Sequence, residues 1–190
     1  MTLPVSDNVP SLIGMMQELI GTPSVSSTAP GWDQSNRDVI EKLEAWLSTL
    51  GFRTEVMAVP GHPGKANLIA TLGSGPGGLV FSGHTDTVPY DQGRWNSDPF
   101  KLQEADQRLY GLGTCDMKGF DALAIWALVE AQHSDLKRPL QLALSYDEEI
   151  GCISAPAMIE AMQEVLPKAN AVIVGEPSMM KRFAVTSISY

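Results

Sequence analysis

Histidine and carboxylate side chains stand at three places where an apolar run of the 190-residue chain stops. Leu79-Val80-Phe81-Ser82-Gly83 leads into His84-Thr85-Asp86, and Leu142-Ala143-Leu144-Ser145-Tyr146 leads into Asp147-Glu148-Glu149. Ala171-Val172-Ile173-Val174-Gly175 leads into Glu176, and Asp116 closes a glycine-rich stretch, Gly111 to Asp116, ahead of a long apolar segment. Carboxylates drawn together repel one another unless a cation lies between them. One imidazole with several carboxylates is a donor set for Zn²⁺, or for Mn²⁺ or Co²⁺ in its place. In extended chain residues i and i+2 share a side, so Asp86 can take the proton on one ring nitrogen of His84 while the other binds metal, fixing the tautomer. Glu148 and Glu149 are adjacent, so their side chains diverge if the chain is extended: one can bind metal while the other serves a water as general base.

Positioning such groups needs a sheet. Short apolar runs at Phe52–Val59, Asn67–Leu72, Leu79–Ser82, Leu140–Tyr146 and Ala171–Val174 read as strands, the last as a core strand. Helical spacing predicts helices over Val9–Ile20, Val39–Leu50, Lys118–His133 and Ser154–Val165, with a loop at Pro60–Lys65 and a hairpin of Phe100–Gln103 with Arg108–Tyr110. The alternation predicts an α/β fold with a mostly parallel or mixed sheet flanked by helices. In such folds ligands bind beyond the carboxyl ends of strands, where all these residues would meet. Each has a bland reading by itself: Asp116 as a helix cap, Asp147-Glu148-Glu149 as a solvated loop, Glu176 as a strand end before Pro177. Their joint placement carries the metal-site reading.

Other chemistries fall away. Gly73–Gly78 runs into a strand rather than a helix and contains Pro76, so it is a turn and not a dinucleotide loop. Gly61–Lys65 lacks the spacing and hydroxyl of a phosphate loop, and no Gly-x-Ser-x-Gly elbow occurs. Cys115, despite its neighbour Asp116, reads as a small packed residue. The formal net charge of −9 argues against a nucleic-acid face. The longest apolar run, Ala122–Val129, is far short of a membrane span. No Lys or Arg precedes Arg37, so no secretory start is read, and two cysteines make no disulfide framework. The expectation is a cytoplasmic protein with no nucleic-acid or membrane partner.

The segments Ser82–Pro89, Trp95–Phe100, Leu109–Phe120, Asp147-Glu148-Glu149 and Gly175-Glu176-Pro177, in this order, resemble the M20 family of zinc metallopeptidases. The Asp91–Phe100 stretch and the Gly-Leu-Gly-Thr-x-Asp-Met-Lys-Gly-Phe form around Asp116 are most similar to the members that deacetylate N-acetyl-L-ornithine in arginine biosynthesis. The resemblance implies a zinc-exopeptidase-like catalytic domain holding two zinc ions. His84 and Glu176 would bind one, Asp116 would bridge, and Glu149 would bind the second; Asp86 would orient His84 and Glu148 would be the general base. The substrate would be a small N-acylated amino acid, and complete members would pair as homodimers. Sibling activities are a succinyl-diaminopimelate desuccinylase, an aminoacylase or a carboxypeptidase; a non-catalytic fragment is the reading from another class.

Family members are about twice as long and show a His-Lys-Gly motif after the Gly-Glu-Pro-Ser segment. Here Lys181–Tyr190 carries no such motif, and no histidine follows His133. The expectation is therefore a partial catalytic domain over residues 1–180 and an atypical tail over 181–190, without the lid or dimerisation domain and the rest of the catalytic domain. Such a chain is expected to hold at most one zinc tightly and to deacetylate poorly.

Overall fold

The computed structural model describes residues 8–91, 93–165 and 169–181, with backbone alone for 163–165. The tail beyond Lys181 lies outside the described residues. The chain runs α1 (Leu12–Ile20), α2 (Arg37–Thr49), β1 (Arg53–Val59), β2 (His62–Leu72), β3 (Leu79–His84), β4 (Gln103–Ala105), β5 (Arg108–Tyr110), α3 (Lys118–Gln132), β6 (Leu140–Ser145), α4 (Ala155–Val165) and β7 (Ala171–Val174).

Five strands form one sheet in the order β1-β2-β6-β3-β7. The first two pairings are antiparallel and the last two parallel, so the sheet is mixed. Side chains alternate across it. Leu68 and Ala70 of β2 and Leu142 and Leu144 of β6 face a core closed by α1, α2 and α3 through Leu19, Leu43, Leu47, Ile125 and Leu128. Ile69, Val80 and Ala143 face the other way, against Met158 of α4.

Local chemistry sets the element ends. Helix α1 starts later than the apolar spacing predicted. Val9 precedes a proline, which disfavours helical backbone, and the Ser11 hydroxyl accepts the Gly14 amide at 3.2 Å as a cap. The expected loop over residues 60–65 is mostly strand: β1 pairs with β2 back to Val59 opposite His62, leaving Pro60-Gly61 as the turn, with Gly61 at φ +80°. The small hairpin begins at Gln103, not Phe100, because Asp106 and Gln107 both take left-handed backbone (φ 51° and 59°) and give a tight two-residue turn. Strand β7 corrects the core-strand reading. All four of its residues are exposed, because β7 is the sheet edge and no described element covers its faces. Cys115 is likewise exposed rather than packed.

Among the described residues no helix is long and apolar enough to cross a membrane.

Candidate metal centre

The three parallel neighbours β6, β3 and β7 end at one edge. His84 closes β3 opposite Ser145 of β6, and Ser82 lies opposite Val174 of β7. The central strand therefore delivers the imidazole, and the chain leaving each flanking strand delivers carboxylates: Glu148 and Glu149 on one side, Glu176 on the other. The segment after His84 is pinned by pairing with residues 24–26, through Ser26 N to Thr87 O at 3.0 Å and Ser24 Oγ to Thr85 O at 2.6 Å.

His84 Nε2 lies 3.2 Å from Asp116 Oδ1, 3.7 Å from Glu176 Oε1 and 3.8 Å from Glu148 Oε2. Ligand atoms of His84, Asp116 and Glu149 fall within 4.8 Å of one another, and so do those of His84, Glu148 and Glu176. Donors bonded at about 2.0–2.1 Å around a tetrahedral Zn²⁺ are about 3.4 Å apart, so the spacing and the imidazole–carboxylate chemistry fit a divalent cation. All four residues predicted as ligands lie at this edge, but in two groupings that share His84: Asp116 and Glu149 in one, and Glu176 in the other together with Glu148, the residue expected as base. Asp116 does not cap α3: that cap position is Met117, with no side-chain hydrogen bond. Glu148 and Glu149 lie in a turn rather than extended chain, yet still reach different groupings around His84.

Asp86, wholly buried, sits on the far side of the ring. His84 Nδ1 is 3.1 Å from the Asp86 carbonyl oxygen and 3.3 Å from carboxylate Oδ1, while Oδ2 accepts the Glu149 backbone amide at 3.1 Å. With Nδ1 facing acceptors, Nε2 is the nitrogen turned toward the carboxylates.

Charge is unbalanced here. Burial pulls the His84 imidazolium down, but Asp86, Asp121 and Glu176 outweigh it and push its pKa up to about 10. Burial and the neighbouring Asp116 push Glu149 up to about 7, and burial raises Glu176 as well. A cation among these groups would favour neutral imidazole and ionised carboxylates, and so pull each of these pKa values down.

Sequence reasoning missed Asp121 and Lys65. Asp121 of α3 is fully buried, and neither carboxyl oxygen has a hydrogen-bond partner among the described residues. Its Oδ1 lies over Gly83, where a methyl group would come within 2.5 Å of it, and burial holds its pKa well above the usual carboxylate range. An aspartate amid the apolar positions of α3 is the signal for it in the sequence. Lys65 sits on β2 in the segment read as a loop. A cavity of about 480 Å³ between the sheet and α4 reaches the site at His84, Glu148 and Glu176.

Residues 80–188 match the family model described as peptidase family M20/M25/M40. The chain is 48% identical over 173 residues to an acetylornithine deacetylase of Pasteurella multocida (strain Pm70), covering 91% of this chain and 44% of that protein. It is 47% identical to one of Proteus mirabilis (strain HI4320), with the same coverage. The chain thus spans less than half the length of these relatives. In fold it is similar to an M20 family metallo-carboxypeptidase of Sulfolobus solfataricus (TM-score 0.74, 23% identity, 88% of this chain and 37% of that one). It is also similar to human carnosine dipeptidase 1 (TM-score 0.72, 24% identity, 86% and 37%).

Proposed function

The chain belongs to peptidase family M20/M25/M40, and on that premise we propose that it serves metal-dependent hydrolysis of the amide bond in an N-acylated amino acid, with N-acetyl-L-ornithine as substrate and ornithine and acetate as products. The observation that carries the reading is the double grouping around one imidazole: His84 with Asp116 and Glu149, and His84 with Glu148 and Glu176. The relatives named acetylornithine deacetylase support the acetylated substrate; a step of arginine biosynthesis in the cytoplasm is part of the proposal.

Zinc is the cation we assign. By resemblance to the family, His84 and Glu176 would hold one ion, Asp116 would serve both and Glu149 would hold the second, whereas the groupings themselves set Asp116 with Glu149 and Glu148 with Glu176 about His84. When bound, the metal supplies Lewis acidity toward the acyl carbonyl and makes water acidic enough to lose a proton near neutral pH. Asp86 holds the His84 ring by Nδ1, so that Nε2 is the nitrogen that would give up its proton and offer its lone pair to the metal. Glu148 acts as general base: it takes the proton of the attacking water and passes it to the departing amine nitrogen as the C–N bond breaks. Glu148 is suited to this because it lies beside His84 while, among the described residues, its Oε1 has only the Cys152 thiol as donor, at 3.4 Å.

Zinc titration followed by an assay of acyl release tests the assignment. Tight binding of divalent metal with acetate released from N-acetyl-L-ornithine is the expected result. Faster succinate release from N-succinyl-diaminopimelate would transfer the chain to the desuccinylase branch. A chain that binds no divalent metal would lose the metal-site reading altogether.

A further inference from the structure

Lys65 is a buried cation close to the site that the chemistry above leaves unused. Its ammonium donates to Asp147 Oδ1 at 2.7 Å and to Asp33 Oδ1 at 2.9 Å, and lies 5.0 Å from the centre of the Tyr146 ring. The Lys65 side chain is 7% exposed and that of Asp147 not at all. Asp147 Oδ1 also accepts the Ser26 hydroxyl at 3.0 Å. One lysine on β2 thereby joins the loop ahead of α2 to the residue that leaves β6.

That residue opens the acidic turn. Asp147 takes left-handed backbone, φ +61°, which aspartate tolerates better than most side chains but which still needs holding. From there the chain folds back on itself: Gly151 N and Cys152 N donate to Glu148 O at 2.9 and 3.0 Å, and Ile153 N donates to Asp147 O at 3.3 Å. The free side of the turn meets Asp86, through the Glu149 amide. A buried carboxylate without a counter-charge would leave this position for water and take the turn with it.

We propose that Lys65 is a positioning residue for the site: through Asp147 it fixes the turn that presents Glu148 and Glu149 to His84. The proposal rests on the metal-site reading for its consequence, but not for its geometry. Burial pulls the Lys65 ammonium down, while its bonds to Asp147 and Asp33 more than reverse this and keep it cationic through neutral pH.

The test pairs Lys65→Met with Asp147→Asn. The double variant leaves no bare charge at the Lys65–Asp147 pair, Asp33 is partly exposed and keeps the Ser27 amide as donor, and asparagine keeps the tolerance for left-handed backbone. Two readouts are taken: amide hydrogen exchange of the metal-free protein by NMR, and Zn²⁺ binding by calorimetry. The Glu149 amide is expected to exchange at least about tenfold faster relative to the amides of β6, and zinc affinity to fall about tenfold. Glu149 protection unchanged relative to β6, whether both hold or both fall together, overturns the proposal. If the parent chain binds no zinc yet the Glu149 amide alone loses protection, the positioning role stands and the metal-site reading falls.

Discussion

Asp86 and Glu149, 63 residues apart, are joined by a hydrogen bond from the Glu149 backbone amide to Asp86 Oδ2 at 3.1 Å. The same carboxylate lies 3.3 Å from His84 Nδ1 through its other oxygen. One buried side chain thus sets both the ring that offers Nε2 and the turn that offers the glutamates. Asp86→Asn keeps the shape and the backbone carbonyl that faces Nδ1, but removes the charge. The expected outcome is a loss of zinc affinity of about tenfold to a hundredfold, the range seen when a group orienting a metal-bound histidine is changed. Calorimetry on the two proteins measures it. An unchanged affinity would mean that the Asp86 carbonyl oxygen alone orients the ring.

Stability should depend on pH in opposite senses with and without metal. His84 has its pKa raised from 6.5 to about 10, so its proton-linked stability is full below pH 6.5 and drains away toward pH 10. Glu149 has its pKa raised from 4.5 to about 7; between those values the folded protein holds a proton that the unfolded chain has lost, so stability again falls as pH rises. Glu176 and Asp121, also raised, act in the same direction. Lys118, lowered by burial to about 8, works the other way, but only above that pH. The metal-free melting temperature should therefore drop from pH 5 to pH 8. Saturating zinc should reverse the slope, because ligation requires a neutral imidazole and ionised carboxylates. Thermal melts in chelator and in zinc at both pH values check this. A metal-free protein that grows more stable over that range would contradict the crowding of acids around His84.

Gly175 prepares the position of Glu176. A methyl group there would come within 2.1–2.3 Å of the Phe120 ring, at the start of α3. The Gly175 amide also continues the β3–β7 pairing, donating to Ser82 O at 3.1 Å. Gly175→Ala must push the ring or the strand aside, costing about 1–3 kcal/mol of stability. Glu176, one residue on, should move off His84 and weaken zinc binding without any ligand being removed. Chemical denaturation and a zinc titration of the same sample separate the two effects. Weakened stability with full affinity would show that the strain is absorbed by Phe120 alone.

The sequence announces the strand-end residues because the period of the apolar runs and the residue types that end them are both local. His84, Glu148, Glu149 and Glu176 each stand at or just beyond the end of a run short and apolar enough to read as a strand, and the parallel pairing of β3 with β6 and β7 brings their ends together. Lys65 was illegible for the opposite reason: its partners Asp33 and Asp147 stand 32 and 82 residues away, so nothing near it in the chain marks it as buried. Exposure of β7 was illegible too. Ala171–Val174 has the composition of a covered strand, and only the sheet order reveals that it lies at an edge.

Two adjacent glutamates to which we assign different tasks give the sharpest contrast. Glu149 is fixed at its backbone by Asp86 and has a ligand oxygen grouped with His84 and Asp116. Glu148 is grouped instead with His84 and Glu176, its Oε2 3.8 Å from Nε2. A glutamine keeps the size of either side chain but loses the anion, so it can neither ligate as well nor take a proton. Glu149→Gln should weaken zinc binding by at least about tenfold, since the loss falls on a ligand. Glu148→Gln should leave affinity nearly intact while removing about two to four orders of magnitude from acyl hydrolysis, the usual worth of a general base. Calorimetry and acetate release on the two variants distinguish the roles. If Glu148→Gln is the variant that sheds metal, then Glu148 is the ligand and Glu149, with its pKa near 7, becomes the proton acceptor.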